Sequence, residues 1–173
     1  MSDTRILTLT DKQKLEEQLA ELNEEKKRVA EEIQIARGFG DLSENAEYDA
    51  AKAKEAEVYG NIARIENELR TATFVDESTA DTNTAALGTV VRVLESFNGE
   101  DEEETEYTLV GFTEVDPSKC FVSNESPIGI ALIGKGEPGK PDYIAPAAIG
   151  DTVEARTDSG DVITLKVLSI RKR

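Results

Sequence analysis

The stretch Gly38-Phe39-Gly40-Asp41-Leu42-Ser43-Glu44-Asn45 decides the fold, because it interrupts a long run of otherwise helical sequence. Glycine and asparagine are the residues that most readily end a helix or form a turn. Apolar residues recur at heptad spacing on both sides of the interruption. The pattern therefore predicts an antiparallel helical hairpin over residues 1–75, whose tip at 38–45 presents Asp41 and Glu44.

The sequence before the tip predicts one long amphipathic helix. Thr10 is a suitable N-cap residue, and Gln13 three positions later completes a capping-box pattern. An apolar seam with alternating spacings of four and three follows, as in a coiled coil, with one polar member. Its members are Leu15, Leu19, Leu22, Lys26, Val29, Ile33 and Ala36.

The sequence after the tip predicts a second helix with the same seam. Its members are Tyr48, Ala51, Glu55, Val58, Ile62, Ile65, Leu69 and Ala72. Antiparallel pairing places Ile33 near Ala51, and it puts Lys26 and Glu55 in adjacent layers. These two charged residues could pair across the seam, and the favoured interpretation is that they specify its register at some cost in stability.

The C-terminal half changes to a β pattern. Residues 76–87 are polar and non-periodic, which predicts a linker. Residues 88–173 predict a small antiparallel sheet with one short helix, so the fold class is α+β. Ser126 as N-cap and Pro127 at the first helical position open that helix. The predicted segments are strands 89–94, 106–112, 120–122, 152–157 and 162–170, and helix 128–133.

The composition excludes several function classes. The formal net charge is −16, from 36 acidic and 20 basic residues, so the surface repels phosphate backbones and we expect no autonomous nucleic-acid binding. The chain has no histidine and a single cysteine, Cys120, which excludes an imidazole-based triad and an intrachain disulfide. Any metal chemistry must use carboxylates, which suit hard cations such as Mg²⁺.

The sequence also gives an expectation about location. The N-terminus lacks a basic region followed by an apolar core, and no apolar run reaches membrane-spanning length. We therefore expect a cytoplasmic protein that does not contact membranes.

The tip carboxylates have two interpretations. Asp41 and Glu44 are spaced so that both can face one volume and hold Mg²⁺ with water positions left open. Alternatively, Asp41 or Ser43 caps the second helix and Glu44 complements the helix dipole. Two carboxylates on an exposed tip are an incomplete metal site in either case, and a partner would have to supply the other ligands.

Three motifs resemble the bacterial Gre family of transcript cleavage factors. The first is Gly40-Asp41-Leu42-Ser43-Glu44-Asn45-Ala46-Glu47-Tyr48, followed by Ala50-Ala51-Lys52. The second is Ser126-Pro127-Ile128-Gly129 with Ala131-Leu132-Ile133-Gly134, and the third is Gly150-Asp151-Thr152-Val153-Glu154. Together they extend the resemblance over nearly the whole chain.

The resemblance implies a fold and a function. The coiled coil would enter the secondary channel of bacterial RNA polymerase, and an FKBP-like C-terminal domain would dock at the rim. Asp41 and Glu44 would help to hold Mg²⁺ at the polymerase's own active centre, so that backtracked RNA is cut and gives a new 3′ end. The chain would be a monomer that stimulates an endonuclease rather than an enzyme. Contacts with RNA or polymerase are expected from Arg37, Phe39, Ser43, Asn45, Tyr48, Lys52 and Lys54.

The tip departs from the family pattern at two positions. Ser43 stands where the family usually has a basic residue, and Asp49 replaces a histidine or similar residue, so the tip is more acidic. Arg37, Lys52 and Lys54 are the basic residues left, and they form either a reduced basic patch or solvated helix faces. A Gre-like inhibitor of the same channel is one alternative function, and a structural coiled-coil module is another.

Overall fold

The computed structural model describes residues 5–37, 42–100 and 102–173. For residues 42–45 it describes the backbone but not the side chains. By internal packing the chain forms two compact units. Lys12–Ala72 form one unit, and the described residues up to Asp11 join Thr73–Arg173 in the other. Residues 5–11, expected in the hairpin, and residues 76–87, expected in a linker, therefore pack with the β unit.

The first unit is the helical hairpin that the sequence predicts. Helix α1 spans Leu9–Arg37 and helix α2 spans Leu42–Thr71. Lys26 lies over the ring of Tyr59, and Arg37 lies over that of Tyr48. The later residue of α1 therefore contacts the earlier residue of α2, which shows that the two helices are antiparallel. At ~1.5 Å per residue, the 29 residues of α1 extend about 43 Å. No described helix is long and apolar enough to cross a bilayer.

The predicted seam is confirmed, since each of its members is buried or half-buried. The most buried are Leu15, Val29, Ile33, Ala51, Val58, Ile62 and Ile65. The predicted pairing of Lys26 with Glu55 is wrong. The Lys26 ammonium lies 4.5 Å from the Tyr59 ring centroid, and Glu55 pairs with Lys52 on its own helix. Lys26 and Glu55 therefore each have a different partner, Tyr59 and Lys52 respectively.

The start of α1 also differs from the prediction, which placed the cap at Thr10. The Thr8 backbone N–H donates to Asp11 Oδ2 at 3.0 Å, and the Asp11 N–H donates to Thr8 Oγ1 at 2.9 Å. This reciprocal pair is a capping box that begins two residues earlier. Gln13 instead bonds Glu17 one turn along the helix, and the Thr10 hydroxyl donates to Glu77.

The second unit begins with a two-stranded parallel pair. Strand β1 spans Ile6–Thr8 and pairs with β2, Thr73–Val75, so that Ile6 lies opposite Thr73. The sequence analysis missed both strands, because three residues are too few to show a period of two.

The main sheet has five strands in the order β5-β4-β3-β7-β6. The strands are β3 Thr89–Phe97, β4 Glu103–Val110, β5 Phe121–Ser123, β6 Thr152–Arg156 and β7 Val162–Lys172. The expected antiparallel sheet is in fact mixed, since β5 pairs with β4 in parallel. The β4–β5 connection contains two 3₁₀ turns, Phe112–Glu114 and Pro117–Lys119, and therefore crosses over instead of forming a hairpin.

Helix α3, Pro127–Ile133, covers the core of this sheet. The Ser126 hydroxyl accepts a hydrogen bond from the Gly129 N–H at 3.0 Å, and Gly134 is the C-cap, so the predicted cap, Pro and stop are confirmed. Leu132 of α3 is fully buried. It belongs to a core whose other fully buried members include Val91, Val93, Leu109 and Leu165.

The Asp11 carboxylate ties the first turn of α1 to the β4–β5 connection. Its Oδ1 accepts hydrogen bonds from the Thr113 N–H at 2.9 Å and from the Thr113 hydroxyl at 2.7 Å. Asp11 is fully buried, and burial raises the pKa of its carboxyl. The hydrogen bonds from Thr113 and Thr8 more than offset this effect, so the pKa of Asp11 lies below its usual value.

We expect Asp11→Asn to lower the free energy of unfolding by about 1–3 kcal/mol at pH 7. Both carboxylate oxygens of Asp11 accept hydrogen bonds, and in asparagine one of them becomes an NH₂ group that would face a donor. The folded pKa of Asp11 is the lower one, so its contribution is complete above about pH 4 and declines as the pH falls through the folded value. Urea unfolding against pH should show the difference between wild type and variant shrinking in acid. The matched control, Asp142→Asn, removes an exposed carboxylate and should have little effect. A difference that stays constant down to pH 2 would contradict the assigned role.

A second prediction concerns two glycines. A Cβ at Gly111 would lie 2.0 Å from Asp11 Oδ2, so Gly111→Ala should cost about 1–3 kcal/mol through overpacking. A Cβ at Gly60, within α2, would meet nothing within 4 Å, so Gly60→Ala should stabilise the hairpin by about 0.5–1 kcal/mol. Thermal unfolding of the two variants should move in opposite directions, and a shift of the same sign for both would refute the packing argument.

Candidate functional site

The tip itself lies largely outside the described residues. Phe39 and Asp41 are not among them, and the side chains of Ser43, Glu44 and Asn45 are not described. The arrangement of the two tip carboxylates therefore stays a prediction from the sequence. The structure does describe the two helices that flank the tip in the sequence.

The helix bounds place Glu44 in the first turn of α2, which begins at Leu42. The first turn of a helix carries unpaired N–H groups and a partial positive charge, which favour a carboxylate. This position is compatible with both interpretations of Glu44, as a residue that complements the dipole and as a metal ligand.

A small apolar cluster, which we call the distal core, joins the helices below the tip. It consists of Val29, Ile33 and Ala51, with the half-buried Tyr48 packed against them. The Arg37 guanidinium, in the last turn of α1, lies 5.9 Å from the Tyr48 ring centroid. A cation over an aromatic face is attracted to it, so this contact links the two helix ends that flank the tip.

The two lysines predicted near the tip also have partners within the hairpin. Lys52 is hydrogen-bonded to Glu55, and this bond raises the pKa of the Lys52 ammonium above its usual value. Lys54 reaches across to α1, where its Nζ lies 3.5 Å from Glu25 Oε1 and 4.0 Å from Glu32 Oε1. Arg37 and Lys54 thus make cross-helix contacts, and Lys52 pairs within α2, so each of the three cations has a partner in the hairpin.

The tip pair is the candidate for metal binding that the sequence suggests. Within the part of the chain that the structure describes, no group of three or more His, Cys, Asp or Glu residues could hold a metal ion. Asp41 and Glu44 supply carboxylate oxygens, which are the ligands that Mg²⁺ prefers. The donor chemistry of the tip pair thus fits Mg²⁺, although two carboxylates alone leave most of its coordination positions to other groups.

The sequence analysis missed two kinds of positioning contact. The Thr8-Leu9-Thr10-Asp11 stretch carries the signal of a capping box, but it overlaps a second such pattern at Thr10 and Gln13. The contacts of Lys54 with Glu25 and Glu32 lacked an equally clear signal, because opposite charges are common on both helices.

The distal core gives a local prediction. Tyr48→Ala should lower the free energy of opening around it by about 1–2 kcal/mol, because it removes half-buried aromatic surface. Tyr48→Phe keeps the ring and should behave like wild type. Native-state hydrogen exchange of the amides in residues 46–58 measures this opening directly. Equal exchange in wild type and Tyr48→Ala would mean that the ring does not join the helices.

Comparison with known proteins gives matches over nearly the whole chain. A family model described as "Transcription elongation factor, N-terminal" matches residues 5–73, and one described as "Transcription elongation factor, GreA/GreB, C-term" matches residues 80–172. The chain is 46% identical over 168 residues to transcription elongation factor GreA of Acetivibrio thermocellus, covering 96% of each chain. It is 43% identical over 166 residues to GreA of Halalkalibacterium halodurans, covering 95% of each. Among solved structures, GreA factor homolog 1 (Gfh1) of Thermus thermophilus aligns with 97% of this chain and 99% of its own, at 20% identity and a TM-score of 0.42.

Proposed function

Because the chain belongs to the GreA/GreB family of transcription elongation factors, we propose that it binds bacterial RNA polymerase and stimulates cleavage of backtracked nascent RNA. The hairpin enters the secondary channel of the polymerase, and the β unit docks at the rim. The chain acts as a monomer and is not itself an enzyme, since the polymerase carries out the hydrolysis. The observation that carries the proposal is a long two-helix hairpin whose tip sequence holds Asp41 and Glu44.

The described part of the hairpin supports insertion into a narrow channel. In residues 46–57 of α2, Ala51 is the only buried residue, so α2 contributes one small side chain to the buried core near the tip. Small seam residues let two helices approach closely, which keeps the distal half slender. Among the described residues of the tip half, Ile35 is a clearly exposed large apolar side chain.

The tip residues would hold Mg²⁺ jointly with the polymerase. Bound Mg²⁺ supplies charge stabilisation and a more acidic water for phosphodiester hydrolysis. Asp41 and Glu44 would contribute carboxylate oxygens and accept hydrogen bonds from water, which orients it. The charge of −16 leaves the capture of RNA to the polymerase.

We expect Asp41→Asn and Glu44→Gln each to reduce stimulated cleavage by about 100-fold or more, because an amide is a poor ligand for Mg²⁺. The affinity for polymerase should change little, since most contacts lie elsewhere on the chain. A stalled elongation complex with labelled RNA measures the first quantity, and competition against labelled wild-type protein measures the second. Glu31→Gln, an exposed carboxylate on α1, is the matched control.

The same assay tests the proposal against its alternatives. If wild-type protein slows elongation and leaves the RNA uncut, the protein is an inhibitor of the channel. If light scattering finds a stable dimer that does not bind polymerase, the hairpin is a structural module. Normal cleavage by both tip variants would disprove the metal role of Asp41 and Glu44 while leaving polymerase binding in place.

A further inference from the structure

Lys54 occupies a position that neither the tip chemistry nor the seam explains. It is on α2, and its side chain is 45% exposed. Its Nζ lies 3.5 Å from Glu25 Oε1 and 4.0 Å from Glu32 Oε1, both on α1. Glu25 and Glu32 are seven residues apart, so they lie on the same face of α1, about 10.5 Å apart along its axis. One ammonium on α2 thus sits between two carboxylates on the other helix.

This arrangement opposes sliding of one helix along the other. A shift of α2 by one residue, about 1.5 Å, moves the ammonium toward one carboxylate and away from the other. Either direction loses a contact, so the two carboxylates restrain the axial position from both sides.

The restraint acts where α2 contributes little buried apolar surface to the seam. Ala51 is the only buried residue in positions 46–57 of α2, and an alanine methyl group buries little surface. Salt bridges between helices, formed by charged residues that flank the seam of a coiled coil, influence how the two helices are oriented. Below this region, Val58, Ile62 and Ile65 are buried and provide bulkier packing. The segment next to the tip therefore depends most on polar contacts for its register.

We propose that Lys54 is a positioning residue for the tip, acting through Glu25 and Glu32 to fix the axial register of α2 against α1. This inference rests on the proposed cleavage function, because register matters to catalysis only if the tip carboxylates act at a shared active centre. It replaces the role predicted from the sequence, in which Lys54 contacts RNA or polymerase directly. A displacement of the tip by a fraction of a helical turn would misplace both carboxylates.

Charge reversal separates the two roles. Lys54→Glu should slow cleavage at saturating factor by about 10-fold, because misplacing catalytic groups by about 1 Å has effects of this order or larger. The factor concentration for half-maximal cleavage should stay near the wild-type value. The triple variant Glu25→Lys, Glu32→Lys, Lys54→Glu restores opposite charges across the helices, and it should recover most of the rate. Lys54→Arg should also retain activity.

The matched control is Lys27→Glu, which reverses an exposed lysine whose partner, Glu24, is on its own helix. It should leave the saturating rate unchanged. All variants are assayed well below their unfolding temperatures, and the Mg²⁺ concentration for half-maximal cleavage is measured for each. A rise in that concentration for Lys54→Glu, reversed in the triple variant, supports positioning and is not expected from a loss of stability alone.

Two results would overturn the inference alone. The first is wild-type cleavage by Lys54→Glu. The second is a defect in Lys54→Glu that the triple variant fails to repair, which would assign Lys54 to direct contact with RNA or polymerase. Absence of stimulated cleavage by the wild-type protein would instead overturn the proposed function on which the inference rests.

Discussion

The register between α1 and α2 is the constraint on which the rest of the hairpin depends. The tip joins two helices whose relative position is set by side-chain contacts along their length. Leu15, Val58, Ile62 and Ile65 bury the seam away from the tip, and the distal core of Val29, Ile33 and Ala51 buries it next to the tip. Arg37 over Tyr48 and Lys54 between two glutamates add polar and aromatic contacts there.

The acidic composition of the chain is consistent with basic residues that pair within the hairpin. With 36 acidic and 20 basic residues, carboxylates are available as partners for many of the cations. Lys54 contacts α1, Lys26 lies over Tyr59, and Lys52 pairs with Glu55. A cation already paired within the protein gains less from a phosphate than a free one does, because the new contact replaces an existing one. The basic residues near the tip thus contribute to the structure of the hairpin itself.

Much of the fold could be predicted from the sequence because it depends on periodicity. The heptad seam identified both helices, and Ser126 with Pro127 identified the start of α3. Short elements escaped prediction: β1 and β2 have three residues each, and β5 pairs in parallel through a crossover that no local pattern announces. The Asp11 carboxylate bonds Thr113, which is 102 positions away, and contacts at that separation leave no local signal. For the same reason the sequence named the tip residues but not the contacts of Lys54.

The tip pair has a physical limit that explains the design of the hairpin. Asp41 and Glu44 provide too few oxygens to hold Mg²⁺ tightly by themselves, so their effect depends on where they are placed. Placement requires a support that is both thin and stiff. Small residues such as Ala51 make the distal half thin, but they bury little surface and so weaken the packing that would make it stiff. Contacts on the outside of the seam can restore stiffness without adding width. In the proposed function, a factor that completes another protein's active centre would therefore need its charged flanks as well as its acidic tip.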